Sequence, residues 1–373
     1  MKKLVLLLVV FAAFVVDAQE LALANKDGEF GYITKTGEWH IQPKFKKAHS
    51  FSGDYAIAFE GKKVGFINRK GEWVIEPTFD KVKNFNSGIA VVLKSKKWFY
   101  INTIGEEVLS EIRTDKIYDF KTGVAFIKQD DLIGLIDVSG KIIVAPKFLK
   151  IKKFQNGYAK VLENGKWGLI DVKGQYFVKP LYDAISNVYG GNVTAKIGET
   201  HGLIVAGEFK AIEGAQKIWD FSRNRNNTYA KKNDKVGFIN SKGNWIVEPI
   251  YDKVRGFKSG LAPVCKAKKW GYINEVGEVV IPLKFRDAEL FSDDGLAPIK
   301  SAKLWGFIDK SGKEVIPQKY VITTGGLSLF KKNVEKGFIN GLARVKYKKT
   351  WGFINTKGEL LNDTWFINLE DFK

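Results

Sequence analysis

One phrase recurs along this chain at nearly constant spacing, and that periodicity limits the fold more than any other feature. It reads GYITKTGEW from Gly31, GFINRKGEWVIEP from Gly65, GLIDVSGKIIVAP from Gly134 and WGLIDVKGQYFVKP from Trp167. It returns as GFINSKGNWIVEP from Gly237, WGYINEVGEVVIP from Trp270, WGFIDKSGKEVIP from Trp305 and WGFINTKGEL from Trp351, with weaker copies at Trp98 and His201. The glycine of each copy, replaced once by Phe99, falls at positions 31, 65, 99, 134, 168, 202, 237, 271, 306 and 352. The steps are 34 or 35 residues, except for a last step of 46 that places an insertion between Tyr320 and Phe338.

Each copy reads as strands and turns, with no helical period. Asn or Asp is followed three residues later by Gly at Asn68/Gly71, Asn102/Gly105, Asp137/Gly140, Asp171/Gly174, Asn240/Gly243, Asn274/Gly277, Asp309/Gly312 and Asn355/Gly358. That spacing is a type I turn signature, which accounts for the recurring carboxylate better than a metal site does. Seven of the nine prolines (Pro43, Pro77, Pro146, Pro180, Pro249, Pro282, Pro317) share one slot, where they are expected to end a strand and steer the chain into the next unit. The expected fold is an all-β tandem array of about ten three-stranded units, elongated or superhelical, each burying its neighbour's apolar face. A closed, propeller-like array is the alternative, although ten units exceed the usual range of about 4–8 blades. Units near 99–133 and 202–236 lack the proline and are expected to be irregular.

The pairs Trp167-Gly168, Trp270-Gly271, Trp305-Gly306 and Trp351-Gly352 show what this unit resembles. With its turn, proline slot and spacing, it is similar to the WG-repeat (KWG) family of bacterial proteins, from about Phe30 to Leu361. Five copies replace the Trp (Phe30, Val64, Ile133, His201, Val236) and one replaces the Gly (Phe99). The resemblance implies a repeat array and no shared catalytic residues.

The segment before the repeats has another purpose. Lys2 and Lys3 precede an unbroken apolar run from Leu4 to Val16, and Val16-Asp17-Ala18 supplies small residues around a cleavage point. Residues 1–18 are therefore predicted to be a signal peptide cut after Ala18, leaving an array over 19–373. The run is shorter than the roughly 20 residues needed to span a bilayer, so no transmembrane span is expected in the mature chain. The net charge of +19, or +18 once two Lys and one Asp are removed, favours anionic partners. The single cysteine, Cys265, allows no internal disulfide. An exported periplasmic or secreted bacterial protein fits these features.

Comparing the copies indicates which positions are spent on packing. The Trp slot accepts Phe, Val, Ile and His, as a core position does, so Trp98, Trp167, Trp270, Trp305 and Trp351 read as packing residues. The paired Gly is expected to let a neighbouring backbone or ring approach closely. A second aromatic slot holds Trp39, Trp73, Tyr176 and Trp245 but also Glu107 and Glu314. A slot that tolerates Glu sits at an edge. Its aromatics are the candidate ligand-binding platforms, with cover for the array edge as the preferred structural reading. Lysines before the central strand (Lys63, Lys97, Lys166, Lys235, Lys269, Lys303, Lys349) are expected to align as a basic stripe. Such a stripe would attract a polyanion, although solvation of the edge is the stronger explanation.

No nucleophile elbow, HExxH, phosphate-cradling loop or metal-spaced Cys/His set occurs. His40, His49 and His201 fall in different repeat slots, and Cys265 takes a slot filled elsewhere by Leu93, Leu162 and Lys346. No catalytic residue, metal or cofactor is expected. The expected activity is non-catalytic binding or scaffolding at the cell envelope, with a protein or an anionic glycan or cell-wall polymer as partner, and an enzyme is the third and least favoured alternative. Nucleic acid suits the charge but not the export signal.

Overall fold

The computed structural model describes residues 20–222, 226–321 and 336–373. The predicted signal peptide and most of the insertion near 321–337 lie outside the described residues.

Ten small antiparallel sheets follow one another along the described chain, each of three or four strands. We number them as blades 1 to 10. Blade 5 shows the common plan: a short linking strand (Lys150–Ile151), two paired strands (Tyr158–Glu163 and Lys166–Asp171) and a longer third strand (Tyr176–Tyr182). The third strand then runs on, after one residue, into the linking strand of blade 6 (Ala184–Ile185). Each unit therefore lends its last residues to the edge of the next sheet. This transfer ties consecutive blades together by backbone hydrogen bonds as well as by packing.

Two local rules of the repeat produce this plan. In the turn, the Asx side chain accepts backbone N–H groups two and four residues on: Asn68 Oδ1 takes Lys70 N at 2.9 Å and Glu72 N at 3.1 Å. The same pair of bonds forms at Asn102, Asp137, Asp171, Asn240, Asn274, Asp309 and Asn355. The second rule concerns the proline, which corrects an expectation: the third strand does not end there. Pro180 sits in a bulge, because Trp167 pairs with Tyr182 while Leu169 pairs with Val178. One residue, Gly168, thus faces three on the other strand, Lys179 to Leu181, and the excess bows toward Gly168. A Cβ at Gly168 would stand 2.6 Å from Val178 O and 2.7 Å from Pro180 N, so no other residue fits without movement. The Gly of the Trp-Gly pair and the proline are two halves of one crossing. Blade 6 lacks the proline, and its third strand (Glu208–Ala211) pairs with no register shift.

The array closes on itself. Asn368–Leu369 pairs with Ala22–Lys26 of blade 1, Leu369 opposite Ala24, as the linking strands do in blades 3 and 5 to 9. Phe366, two positions before that strand, pairs with Trp351 in blade 10. Ala22, Ala24 and Ile33 of blade 1 share a buried cluster with Phe353, Phe366 and Leu369. The elongated or superhelical form is thereby overturned in favour of the closed alternative, with ten blades. The physical reason is that closure removes both open ends, each of which would expose an apolar sheet face and an unpaired edge. No helix among the described residues is long and apolar enough to cross a membrane.

Candidate binding site

The residues expected to form sites are placed as follows. Trp39, Trp73 and Trp245 are half-buried and Tyr176 is more open. Each ring lies against the preceding blade. Trp73 meets Phe45 edge-on at 6.1 Å, Tyr176 meets Phe148 at 6.4 Å, and Trp245 joins the cluster around Leu203 and Ile212. Tyr176 also donates its hydroxyl to Glu163 and receives Lys147 Nζ at 3.1 Å. The four rings are spread over blades 1, 2, 5 and 7, one at each junction. They form no common platform.

The lysine stripe is largely tied down. Lys63, Lys166 and Lys235 pair with Asp80, Asp183 and Asp252 at 2.6, 2.6 and 2.5 Å, and Lys97 lies 3.4 Å from Glu107. Each of the three aspartates also accepts a backbone N–H from the neighbouring turn (Ser95, Gly198, Ala267). The lysine and this N–H hold the three carboxyls below the usual carboxylate range. Lys269, Lys303 and Lys349 are exposed and have no carboxylate partner among the described residues.

The Trp slot divides. Trp270 and Trp305 are 8% and 7% exposed, whereas Trp98 is 38% exposed. A cation lies over each ring: Lys83 on Trp98 and Lys152 on Trp167, both at 6.0 Å, Arg255 on Trp270 at 4.3 Å, Lys300 on Trp305 at 4.6 Å and Arg344 on Trp351 at 4.6 Å. Cys265 is buried, and burial pushes its thiol pKa up, away from reactivity. Among the described residues no group of three His, Cys, Asp or Glu side chains is placed to hold a metal.

A cleft of about 770 Å³ crosses blades 7, 8 and 9, a size that suits a small ligand or part of a polymer. One wall is Trp219 against Tyr229, with centroids 4.9 Å apart and Lys217 Nζ 4.5 Å above the indole. The other is Trp270 beneath Arg255, whose guanidinium lies 3.1 Å from both Asp287 and Glu289. Lys231 and Asp234 pair at 2.5 Å on the rim. Lys217, Lys253 and Arg286 also line the cleft, and none has a carboxylate partner among the described residues. Arg286 reaches only Ala302 O, at 3.4 Å.

A departure from the repeat creates this arrangement. Blade 8 begins with Asp252-Lys253, and Asp252 clips the lysine turn; blade 9 begins with Arg286-Asp287 in the same register. The swap leaves Arg286 where the clip should be and hands Asp287 to Arg255 and Lys300. Blade 7 places Trp219 two residues into its linking segment, where blade 6 has Ser186. Site prediction from the sequence missed these residues. The signal available was the change of residue type at fixed repeat positions, at Trp219 and at Arg286-Asp287.

Ten antiparallel blades closed by a shared sheet define a β-propeller. A family described as WG containing repeat matches residues 30–63, 65–98, 98–132, 133–167, 167–200, 237–270, 270–303 and 305–321. The chain belongs to the WG-repeat family. The matches leave out residues 201–236, which supply the last strand of blade 6 (Glu208–Ala211) and the first two of blade 7 (Lys217–Ile218 and Asn227–Lys232), and they leave out the blade 10 strands Leu342–Tyr347 and Thr350–Asn355. No curated protein matches the sequence. A eukaryotic initiation factor is similar in fold, with a TM-score of 0.50 at 9% identity, covering 95% of this chain and 98% of that one. PorZ, a surface component of the type-IX secretion system of Porphyromonas gingivalis, is 11% identical with a TM-score of 0.26, over 85% of this chain and 51% of that one. The likeness to the initiation factor concerns the fold alone.

Proposed function

We propose that this protein is an exported, non-catalytic binding protein of the bacterial cell envelope. Its propeller is the scaffold and its cleft over blades 7–9 takes an anionic, ring-bearing ligand, an anionic glycan or cell-wall polymer. The observation that carries this reading is the company of Lys217, Lys253 and Arg286, without carboxylate partners, beside the Trp219/Tyr229 and Trp270 walls. Cations left open next to aromatic faces suit a ligand that offers both negative charge and flat C–H surfaces. The leader-like residues 1–18 and the excess of lysine support an exported site facing anionic polymers.

A protein partner is the second reading, favoured by exposed apolar residues on the third strands, such as Phe177, Val279 and Val280. Co-sedimentation of the chain from Gln19 onward with isolated cell-wall sacculi at about 0.15 M and about 1 M salt separates the two readings. Binding at low salt that is reduced in Lys217→Glu/Arg286→Glu and in Trp219→Ala supports the cleft. Absence of binding at both salts sinks the envelope-polymer reading.

A further inference from the structure

A second set of lysines, distinct from the hairpin-turn set, lies on the linking segments. Lys81, Lys150, Lys217 and Lys253 each open a linking strand, opposite Leu93, Leu162, Lys231 and Cys265. Lys47 and Lys116 hold the same position in blades 2 and 4. Phe59 N donates to Lys47 O at 3.1 Å, and Asp115, just before Lys116, donates its N–H to Lys128 O at 2.8 Å, as Asp80 does to Leu93 O. All six lysines are exposed, and none pairs with a carboxylate among the described residues. The register therefore places an unneutralised lysine at one equivalent point in blades 2, 3, 4, 5, 7 and 8.

The series is polar around the ring. Blade 6 has Ala184 at this point, blade 9 has Asp287 and blade 1 has Asn368. Two residues further along, on the same side of the strand, blades 3, 4, 5, 7 and 8 carry Lys83, Tyr118, Lys152, Trp219 and Arg255. Blades 9 and 1 carry Glu289 and Glu370 there instead. Positive and aromatic side chains thus occupy these points in blades 2–5, 7 and 8, an arc that blade 6 interrupts with Ala184 and Ser186, whereas blades 9 and 1 carry the carboxylates Asp287, Glu289 and Glu370. Lysines serving only solubility would need neither this register nor this segregation, and the hairpin lysines show that the fold readily supplies aspartate clips.

We infer that a linear anionic polysaccharide lies along this arc, its acidic groups against Lys47, Lys81, Lys116, Lys150, Lys217 and Lys253 and its sugar faces on the intervening rings. Trp98, open beneath Lys83, and Trp219, beneath Lys217, are the rings best placed to take sugar faces. The inference takes the ligand class from the reading above, but not its reliance on the cleft: four of the six lysines lie in blades 2–5, outside it.

The test uses the chain from Gln19 onward with α-1,4-linked oligogalacturonates, one short (four sugars) and one long (sixteen or more), titrated at several salt concentrations. The long probe is expected to bind on the order of tenfold or more tightly than the short one, because added contacts are intramolecular. Lys47→Gln/Lys81→Gln/Lys116→Gln should weaken only the long probe and flatten its dependence of log K on log salt by about one unit per lysine removed. These lysines are exposed, so a circular dichroism spectrum matching the parent shows that the variant is folded. Affinity independent of length, or a triple variant indistinguishable from the parent on the long probe, overturns the arc. Binding of the long probe alone, still lost in the triple variant, upholds the arc and refutes the cleft. Single-stranded DNA of equal charge binding more tightly than the long uronate overturns the polysaccharide assignment.

Discussion

Trp39 in the first blade stands edge-on to Phe366 from the last, with ring centroids 5.9 Å apart and planes at 84°. Trp73 makes the same contact with Phe45 of the blade before it, at 6.1 Å and 83°. The closing junction is therefore built like an internal one. The segment that ends in Phe366 forms no regular third strand: it meets the central strand through the Ile354–Leu360 and Trp351–Phe366 bridges, with a 3₁₀ turn over Leu361–Asp363 in place of the proline bulge. Matching contacts across the seam explain how a ring with many blades closes without a special plug.

Trp73→Ala should destabilise the protein by about 2–3 kcal/mol, below the full cost of a buried aromatic because the ring is half-exposed. Chemical denaturation measures this loss. If Trp73 is cover and not a ligand platform, the folded variant should sediment with sacculi as the parent does.

Leu369→Asp should open the seam. Leu369 is fully buried, and its carbonyl accepts Arg344 Nη1 at 2.7 Å. A carboxylate among Ala22, Ala24 and Phe353 costs several kcal/mol, roughly 3 or more. Amide exchange of Ala22–Lys26 should then quicken more than that of blade 5. Equal protection in both would show that the seam is not the weak point.

Gly168→Ala should destabilise by roughly 2–4 kcal/mol, because the added methyl meets backbone and not a movable side chain. Gly312→Ala tests a different constraint. That turn glycine has φ +84° and a Cβ would stand 3.0 Å from Ile281 Cγ2 of the previous blade, so strain and contact act together. Thermal unfolding of both variants, compared with Lys303→Ala at an exposed turn, checks the order.

The aspartate clips give the acid response a definite sign. The carboxyls of Asp80, Asp183 and Asp252 are depressed in the folded state by Lys63, Lys166 and Lys235 and by turn N–H groups. Their contribution is fully present above the unfolded value of about 3.9 and is lost as pH falls through the lower folded values. The unfolding midpoint should drop below about pH 4. The triple variant Asp80→Asn/Asp183→Asn/Asp252→Asn should be less stable near neutrality and show a shallower acid decline; an unchanged decline would place the acid response elsewhere.

Much of the unit was legible in the sequence because its rules are local. An Asx side chain and a glycine three residues on specify a turn within five residues, and all eight predicted turns formed. The proline was misread for the same reason. Its strand-ending tendency is local, but here the residue it faces, Gly168, leaves room for a bulge, and the strand passes on. The clipping of Lys63, Lys166 and Lys235 was not legible, because their aspartates lie 17 residues ahead, beyond the reach of turn logic.

By itself, the sequence determined the repeat, its strands and turns, and membership of the WG-repeat family, since these depend on side chains within one unit. Whether the array stayed open or closed was decided only by the tertiary structure. Closure depends on the small rotation at each junction accumulated over ten blades until Leu369 meets Ala24, and no residue encodes that sum. The same geometry decided which charges remain open. Lys217, Lys253 and Arg286 converge because successive linking segments lie side by side, and Asp287 is drawn to Arg255 across a blade boundary that the sequence does not display.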